Sequence, residues 1–440
     1  MQVTVEKNEG IVCDLAIKLP AIEIDNEVHK RLQKICQTAR IDGFRPGKVP
    51  LSFIKKRHGL QVRSEVLGDL VPQNYIKAIE DEKLKAAGVE IEVKNDKAGE
   101  DFEFIAHVEL FPEIKVTGVE NIEVEKPVAQ IGEKEVDKMI DNLRKQMATW
   151  SPVESRAAKK EDKVTLDFDG SVDGEKFEGG SAEGHVIVIG SGQMIPGFED
   201  GIVGMKKGEE KTVELTFPED YQKKEIAGKK AEFKLKISEI EKADLPELNE
   251  ELIKKFGVEG NLEDFMIEIK SNMERELKAA ISKQLKDQVM KGLQKENEVN
   301  VPKALIKQEV ERAKQDFSQR MGKQSNQSFD VSKLPDNLFE PAAQDRVKIG
   351  LIVNSLIEEH KFIATQEKTD AKIEEYASVY EDVNEVKSHF KKNPQELENL
   401  KASVVEEELV EWVLGKAKVT EKNIDFFDLI KSSANSAMPQ

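Results

Sequence analysis

The spacing of apolar residues changes twice along this 440-residue chain, and those changes limit its architecture more than any other feature. From Val164 onward apolar residues alternate: Val164, Leu166, Phe168, then Val213, Leu215, Phe217, then Phe233, Leu235, Ile237. Period-two runs of this kind read as half-buried strands. Glycines crowd between Gly170 and Gly208, as the tight turns of a compact antiparallel unit require. Beyond Leu245 the period becomes helical: Leu262, Phe265, Ile269, Met273, Leu277 and Leu285 trace one face of a long helix. Further helices are predicted from Pro302 and over 337–360, 366–380, 383–392 and 394–418. The stretch after Thr420 reads as a tail with a short turn at 424–430.

The N-terminal part mixes both periods. Alternation on either side of Asn8-Glu9-Gly10 predicts a hairpin. Asp25 is placed to cap a helix carrying Val28, Leu32, Ile35 and Ala39. After a Gly/Pro-punctuated loop at 41–50, the pattern predicts a short helical stretch through Phe53 and Ile54. A longer helix over 62–86 and strands at 89–93 and 102–110 follow. The segment 116–150 reads as a connector with a helix near 133–147. The expected fold is multidomain α+β: an N-terminal α/β domain (1–115), the connector (116–150), an antiparallel β domain (151–243), an all-α domain (244–432) and a flexible tail (433–440).

Charge and composition exclude several classes. A formal net charge of −18 argues against general nucleic-acid binding. No run approaches the roughly 18 apolar residues needed to cross a bilayer, so no membrane partner is expected. The first twenty residues lack the basic start and apolar core of a signal peptide. Cys13 and Cys36 read as two free, reduced thiols, which points to a cytoplasmic protein. The six histidines are scattered, with no HExxH and no Cys/His cluster, so no metal site is expected. Gly43–Val49 is one residue short of a phosphate loop and has Val49 where a hydroxyl belongs, and the run from Gly190 lacks the third glycine of a dinucleotide fingerprint. No cofactor is expected.

The charge is uneven. Between Val28 and Ser64 stand ten basic residues and one acid, a local excess of nine that leaves −27 on the remainder. A lysine-rich solvated helix face is the plain explanation; an anion-binding edge is the functional one. Within this island, Gly43-Phe44-Arg45-Pro46-Gly47-Lys48-Val49-Pro50 sets an aromatic ring beside two cations in a loop shaped by glycine and proline. The octapeptide resembles the ribosome-docking signature of the trigger factor family. That resemblance implies that Gly43, Phe44, Arg45, Pro46, Gly47 and Lys48 contact the large ribosomal subunit, protein and rRNA alike, at the exit tunnel. Some family members carry a third basic residue where this chain has Pro46, a change that stiffens the loop.

The middle of the chain is similar to FKBP-type prolyl isomerases through Asp169-Gly170, the run from Asp173 to Gly179, Met194-Ile195-Pro196-Gly197-Phe198-Glu199-Asp200-Gly201, and Val213 to Tyr221. The resemblance covers about 164–240. It implies that Phe168, Phe177, Phe198 and Phe233 line a proline pocket and that Met194 and Ile195 flank it. Tyr221 is implied to offer its hydroxyl to a substrate carbonyl. Glu178 stands where stand-alone isomerases usually have Asp, and Phe168 and Phe198 replace the usual Tyr and Trp. The plain alternative is that these rings are the core of a small β domain.

The order of docking module, isomerase module and helical module again resembles trigger factor over nearly the whole chain. It implies an ATP-independent chaperone that holds nascent and unfolded polypeptides while isomerising Xaa-Pro bonds. It also implies a connector packed with the helical domain. A homodimer away from the ribosome is compatible with this reading. Met266, Met273, Met290 and Met321 are candidates for adaptable client contacts. Two other readings stand beside it: an isomerase whose flanking domains serve only to recruit substrate, and an RNA-binding factor, which the acidic balance disfavours.

Overall fold

The computed structural model describes residues 2–38, 49–172, 174–219, 221, 223, 225–325, 334–378 and 383–435. The chain opens with β1 (Gln2–Glu9), β2 (Val12–Leu19), α1 (Ala21–Thr38), α2 (Leu51–Asp81), β3 (Ala86–Asn95) and β4 (Phe102–Leu110). Next come β5 (Glu123–Val128), α3 (Glu133–Gln146), β6 (Thr149–Pro152), β7 (Lys163–Val172), β8 (Glu175–Val188), α4 (Phe198–Ile202), β9 (Glu210–Thr216) and β10 (Lys230–Asp244). The remainder is α5 (Glu250–Lys255), α6 (Leu262–Glu296), α7 (Lys303–Ser325), α8 (Glu340–His360), α9 (Gln366–Ala377), α10 (Val383–Lys392), α11 (Pro394–Leu414), β11 (Lys418–Asn423) and α12 (Phe426–Asn435). These elements form two compact units, each built from two stretches of chain: 1–126 with 282–422, and 127–281 with 423–440.

The first unit holds a four-stranded antiparallel sheet in the order β1-β2-β4-β3. Alternation sorts its faces. Leu15 pairs with Ala106 and Ile17 with Phe104, and all four are buried. Helices α1 and α2 cover that face with Ile24, Leu32, Ile54, Val62 and Val66. Helix α1 starts one turn before Asp25, the expected cap; the Ala21 N–H donates to the Asp101 carboxylate at 2.9 Å instead. The two helices expected after residue 50 are one, α2, which continues through Gly59, Gly68 and Pro72. Proline removes a helical donor and glycine costs helix propensity. Burial of Val62, Val66, Leu67 and Ala78 outweighs both. The helix ends at Asp81, so Ala86 begins a strand rather than ending a helix.

Helices α7 to α11 and the later part of α6 complete this unit, joined by β11, which pairs with β5. Gly292 of α6 lets Ile122 approach: a Cβ there would stand 2.4 Å from its Cγ2. Buried Asn297 accepts from the Thr117 N–H at 2.9 Å and donates to the Thr117 carbonyl at 3.2 Å.

In the second unit, β10 is central, with β7 on one side and β9 and β6 on the other, and β8 beyond β7. The sheet takes in Thr149 and Trp150, ahead of the expected start at 151. A helical cluster in the same unit buries Val136 and Ile140 of α3, Ile253 of α5, Phe265, Ile269 and Met273 of α6, and Phe426 of α12. The stretch expected to be a tail after Thr420 is therefore strand and packed helix as far as Asn435. Met273 and Met290 are buried, and Met266 packs against the helical cluster. These three thus serve packing rather than an open surface.

Candidate functional site

The sheet of the second unit wraps one face around an aromatic cluster. Phe233, on β10, is its hub: ring centroids lie 5.4 Å away at Phe198, 6.3 Å at Phe177, 6.3 Å at Phe217 and 6.4 Å at Phe168. Phe198 also meets Phe168 edge-on at 5.5 Å. Edge-to-face contacts suit the quadrupoles of the rings and hold each in one orientation. Two glycines make room. A Cβ on Gly170 would stand 2.5 Å from Phe233 Cε1, and one on Gly180 would stand 2.8 Å from Phe177 Cζ. The rings lie directly on backbone.

Burial separates the expected pocket residues into two groups. Phe198 is fully buried and Phe233 is 4% exposed, so both lie inside the cluster and would form the floor of the expected pocket. Phe168, Phe177, Met194, Ile195 and Tyr221 are half-buried against the same core, where they would form the walls of the expected pocket. The Tyr221 ring lies 4.8 Å from Phe217, and its hydroxyl has no hydrogen-bond partner among the described residues. Glu178 lies on β8; its side chain is outside the described residues. Phe217 belongs to the cluster although sequence reasoning assigned it no role; its place in the alternating run Val213, Leu215, Phe217 was the available signal.

Glu199 is the larger omission. On α4, directly after Phe198, its carboxylate accepts from the N–H groups of Gly190 at 2.6 Å, Gln193 at 3.1 Å, Gly192 at 3.3 Å and Met194 at 3.4 Å, and from the Ser191 hydroxyl at 3.3 Å. One carboxylate thus fixes the loop that presents Met194 and Ile195. Burial pushes the Glu199 carboxyl up, but the Gly192, Gly190 and Met194 N–H groups and the Ser191 hydroxyl outweigh it. The net shift is below the usual glutamate range. The loop's stabilisation is therefore complete above that range and is lost as pH falls through the lowered value. Glu199→Gln should reduce isomerisation about tenfold, in keeping with lost charge-assisted hydrogen bonds. It should also abolish the acid limb of the pH–rate profile; an unchanged acid limb would remove Glu199 from this role.

The opposite face of the sheet carries a polar groove of about 750 Å³, where Lys176 and Lys236 pair with Asp169 and Glu210 at 2.6 Å and 2.8 Å. Phe168, a member of the ring cluster, lines this groove as well. The other expected site, Gly43, Phe44, Arg45, Pro46, Gly47 and Lys48, lies outside the described residues. Around it the basic island is partly neutralised. Lys30 pairs with Glu27, Arg31 with Asp69, and Arg63 with Asp96. Lys34, Lys55, Lys56 and Arg57 are exposed without an ion pair among the described residues.

Comparison with known proteins places three family matches along the chain. A family described as bacterial trigger factor protein matches residues 1–143, FKBP-type peptidyl-prolyl cis-trans isomerase matches 154–238, and the bacterial trigger factor C-terminus matches 261–415. The chain is 53% identical to the trigger factor of Francisella philomiragia over 433 residues, covering 98% of each. It is 52% identical to that of Francisella tularensis subsp. novicida over the same shares. Against that of Marinobacter nauticus it is 46% identical over 98% of this chain and 99% of the relative.

Proposed function

The chain belongs to the bacterial trigger factor family, and from that premise we propose that it holds emerging polypeptide at the ribosomal exit tunnel while its ring-lined pocket turns Xaa-Pro bonds. It is a ribosome-associated chaperone with an FKBP-type prolyl isomerase domain. One observation carries the reading: a single chain sets the cluster of five rings between the two trigger factor segments in sequence. The alternative, in which the flanking regions only recruit substrate to an isomerase, is not favoured by those matches.

The isomerase step needs no nucleophile. Amide resonance holds the bond planar behind a barrier of about 18–20 kcal/mol. An apolar floor of Phe198 and Phe233 disfavours the charge-separated resonance form, and the walls formed by Phe168, Phe177, Met194 and Ile195 grip the proline ring. Tyr221 donates its hydroxyl to the substrate carbonyl. Lowering the barrier by about 5 kcal/mol gives between three and four powers of ten in rate.

Docking falls to Phe44, Arg45 and Lys48 in the segment 43–48, supported by Lys55, Lys56 and Arg57, which follow it in sequence and have no ion pair among the described residues. The target is the large subunit, through protein and rRNA. The reading places the protein in the cytoplasm, with the division into 1–115, 116–150, 151–243, 244–432 and 433–440 marking functional segments. Replacing Phe44, Arg45 and Lys48 together with Ala should weaken cosedimentation with ribosomes about tenfold or more, as removal of a few central contacts does. Prolyl isomerisation should stay at the wild-type rate. Undiminished cosedimentation would remove the docking assignment.

A further inference from the structure

The sheet of the first unit ends on β3, against which α7 packs at Gly88, where a Cβ would stand 2.2 Å from Ala304 Cβ; the stretch beyond it, Val89–Val93, forms a free edge. In the path β1-β2-β4-β3, β3 has a partner on one side only. Between Val89 and Val93 its outward backbone groups find no backbone partner among the described residues. Register shifts at Ala86/Gly88 and Val93/Asn95 bound this regular stretch. Of the features that guard edge strands, Val89–Val93 lacks proline and an inward-facing charge; its guards are the outward carboxylates Glu90 and Glu92 and the register shifts at either end.

The two faces of the stretch differ. Val89, Ile91 and Val93 lie in register with Val108, Ala106 and Phe104 of β4. Those β4 residues are buried, whereas the β3 row is 41%, 38% and 52% exposed. The core's apolar surface therefore continues one strand beyond its cover. On the other face Glu90 and Glu92 are exposed. Glu92 shares its charge with Lys94 at 2.7 Å and His107 at 3.3 Å, while Glu90 has no ion pair among the described residues.

We propose that the free edge of β3 is a docking site for an extended polypeptide segment that alternates apolar and basic residues. Such a strand completes the backbone ladder, adds its apolar side chains to the row of Val89, Ile91 and Val93, and sets its cations beside Glu90 and Glu92. The same charges disfavour a second copy of this chain. A two-fold antiparallel pairing centred on Ile91 would oppose Glu90 to Glu92 on both sides, and like charges directly opposite are destabilising. The site rests on the holding function proposed above and names one class of segment it takes.

The test uses the full chain and three capped octapeptides: alternating Val and Lys, alternating Val and Glu, and a block of Val followed by a block of Lys. The block peptide controls for general attraction to an acidic protein. The alternating Val/Lys peptide should bind about tenfold more tightly than the block peptide, the scale of a few cross-strand pairs. It should also slow hydrogen exchange at Val89–Val93. Glu90→Lys with Glu92→Lys should reverse the preference towards the Val/Glu peptide. Equal binding of alternating and block peptides, an unreversed preference, or no protection of Val89–Val93 would overturn the proposal. So would protection there that depends on protein concentration without peptide, which marks pairing of copies. Aggregation suppression and prolyl isomerisation by the same proteins keep the two readings apart. Loss of both in the wild type defeats the proposed function, whereas negative peptide results with both activities intact defeat only the edge site.

Discussion

Phe198→Ala should cost the isomerase region about 3–5 kcal/mol of stability, the range for deleting a buried ring. Prolyl isomerisation should fall about a hundredfold, equivalent to just under ~3 kcal/mol of transition-state stabilisation. Both follow from one position: Phe198 is fully buried and braces Phe168 and Phe233 edge-on. Phe198→Leu separates stability from catalysis, because leucine refills most of the cavity that alanine leaves and so costs less stability, yet removes the aromatic ring. In full-length chains carrying Trp412→Phe, the remaining Trp150 reports unfolding from β6 of the same sheet. The leucine variant should unfold nearer the parent midpoint than the alanine variant does, while isomerising a prolyl peptide far more slowly than the parent. A leucine variant with wild-type turnover would show that the ring serves packing alone.

The second large effect lies at the other end of the chain. Phe426 is 1% exposed and Leu429 is fully buried, and Phe426 seats among Val136, Ile140, Phe265 and Ile269. Phe426→Ala should cost about 3–5 kcal/mol on the same cavity grounds. A chain ending at Asn423 loses both side chains, and with Phe426 the cover on Val136 and Ile140 of α3 and on Phe265 and Ile269 of α6. Amides of α3 around Val136 and Ile140 should then exchange much faster than in the full chain. Unaltered exchange there would mean that α12 is a passenger.

These two positions also show what could be read from residues alone. The strands β7, β9 and β10 follow directly from alternation, because each has one face on the core. Strand β8 escaped, since Gly179, Gly180 and Gly184 break its pattern; Gly180 is there because the Phe177 ring occupies the space of a side chain. Gly59, Gly68 and Pro72 signal interruption, yet α2 runs through them, since local propensity is weaker than the burial of its apolar face. The segment after Thr420 is short and polar enough to pass for a tail, and its partners lie hundreds of residues earlier.

The same distance in sequence hid the electrostatics. The basic island was counted along the chain, so Asp69 and Asp96, which pair with Arg31 and Arg63, fell outside the window. Glu199 read as one more solvated acid, because its partners are backbone N–H groups that carry no mark in a sequence. The resemblance, which spans several ordered segments, singled out Phe168, Phe177, Phe198 and Phe233, and the structure brings these rings into one cluster. Their sorting into floor and walls was not legible, because it depends on which sheet position each occupies.

The pairing of β11 with β5 has a consequence for how this protein is itself made. Thr420 donates its hydroxyl to the Val124 carbonyl across a separation of 296 residues. Loops of that length close at an entropic cost that rises slowly with length, but contacts so remote form late. A ribosome synthesising this chain releases β5 long before its partner strand exists. The unit that holds β5 thus waits until synthesis has passed Asn423 before its final strand can be laid down.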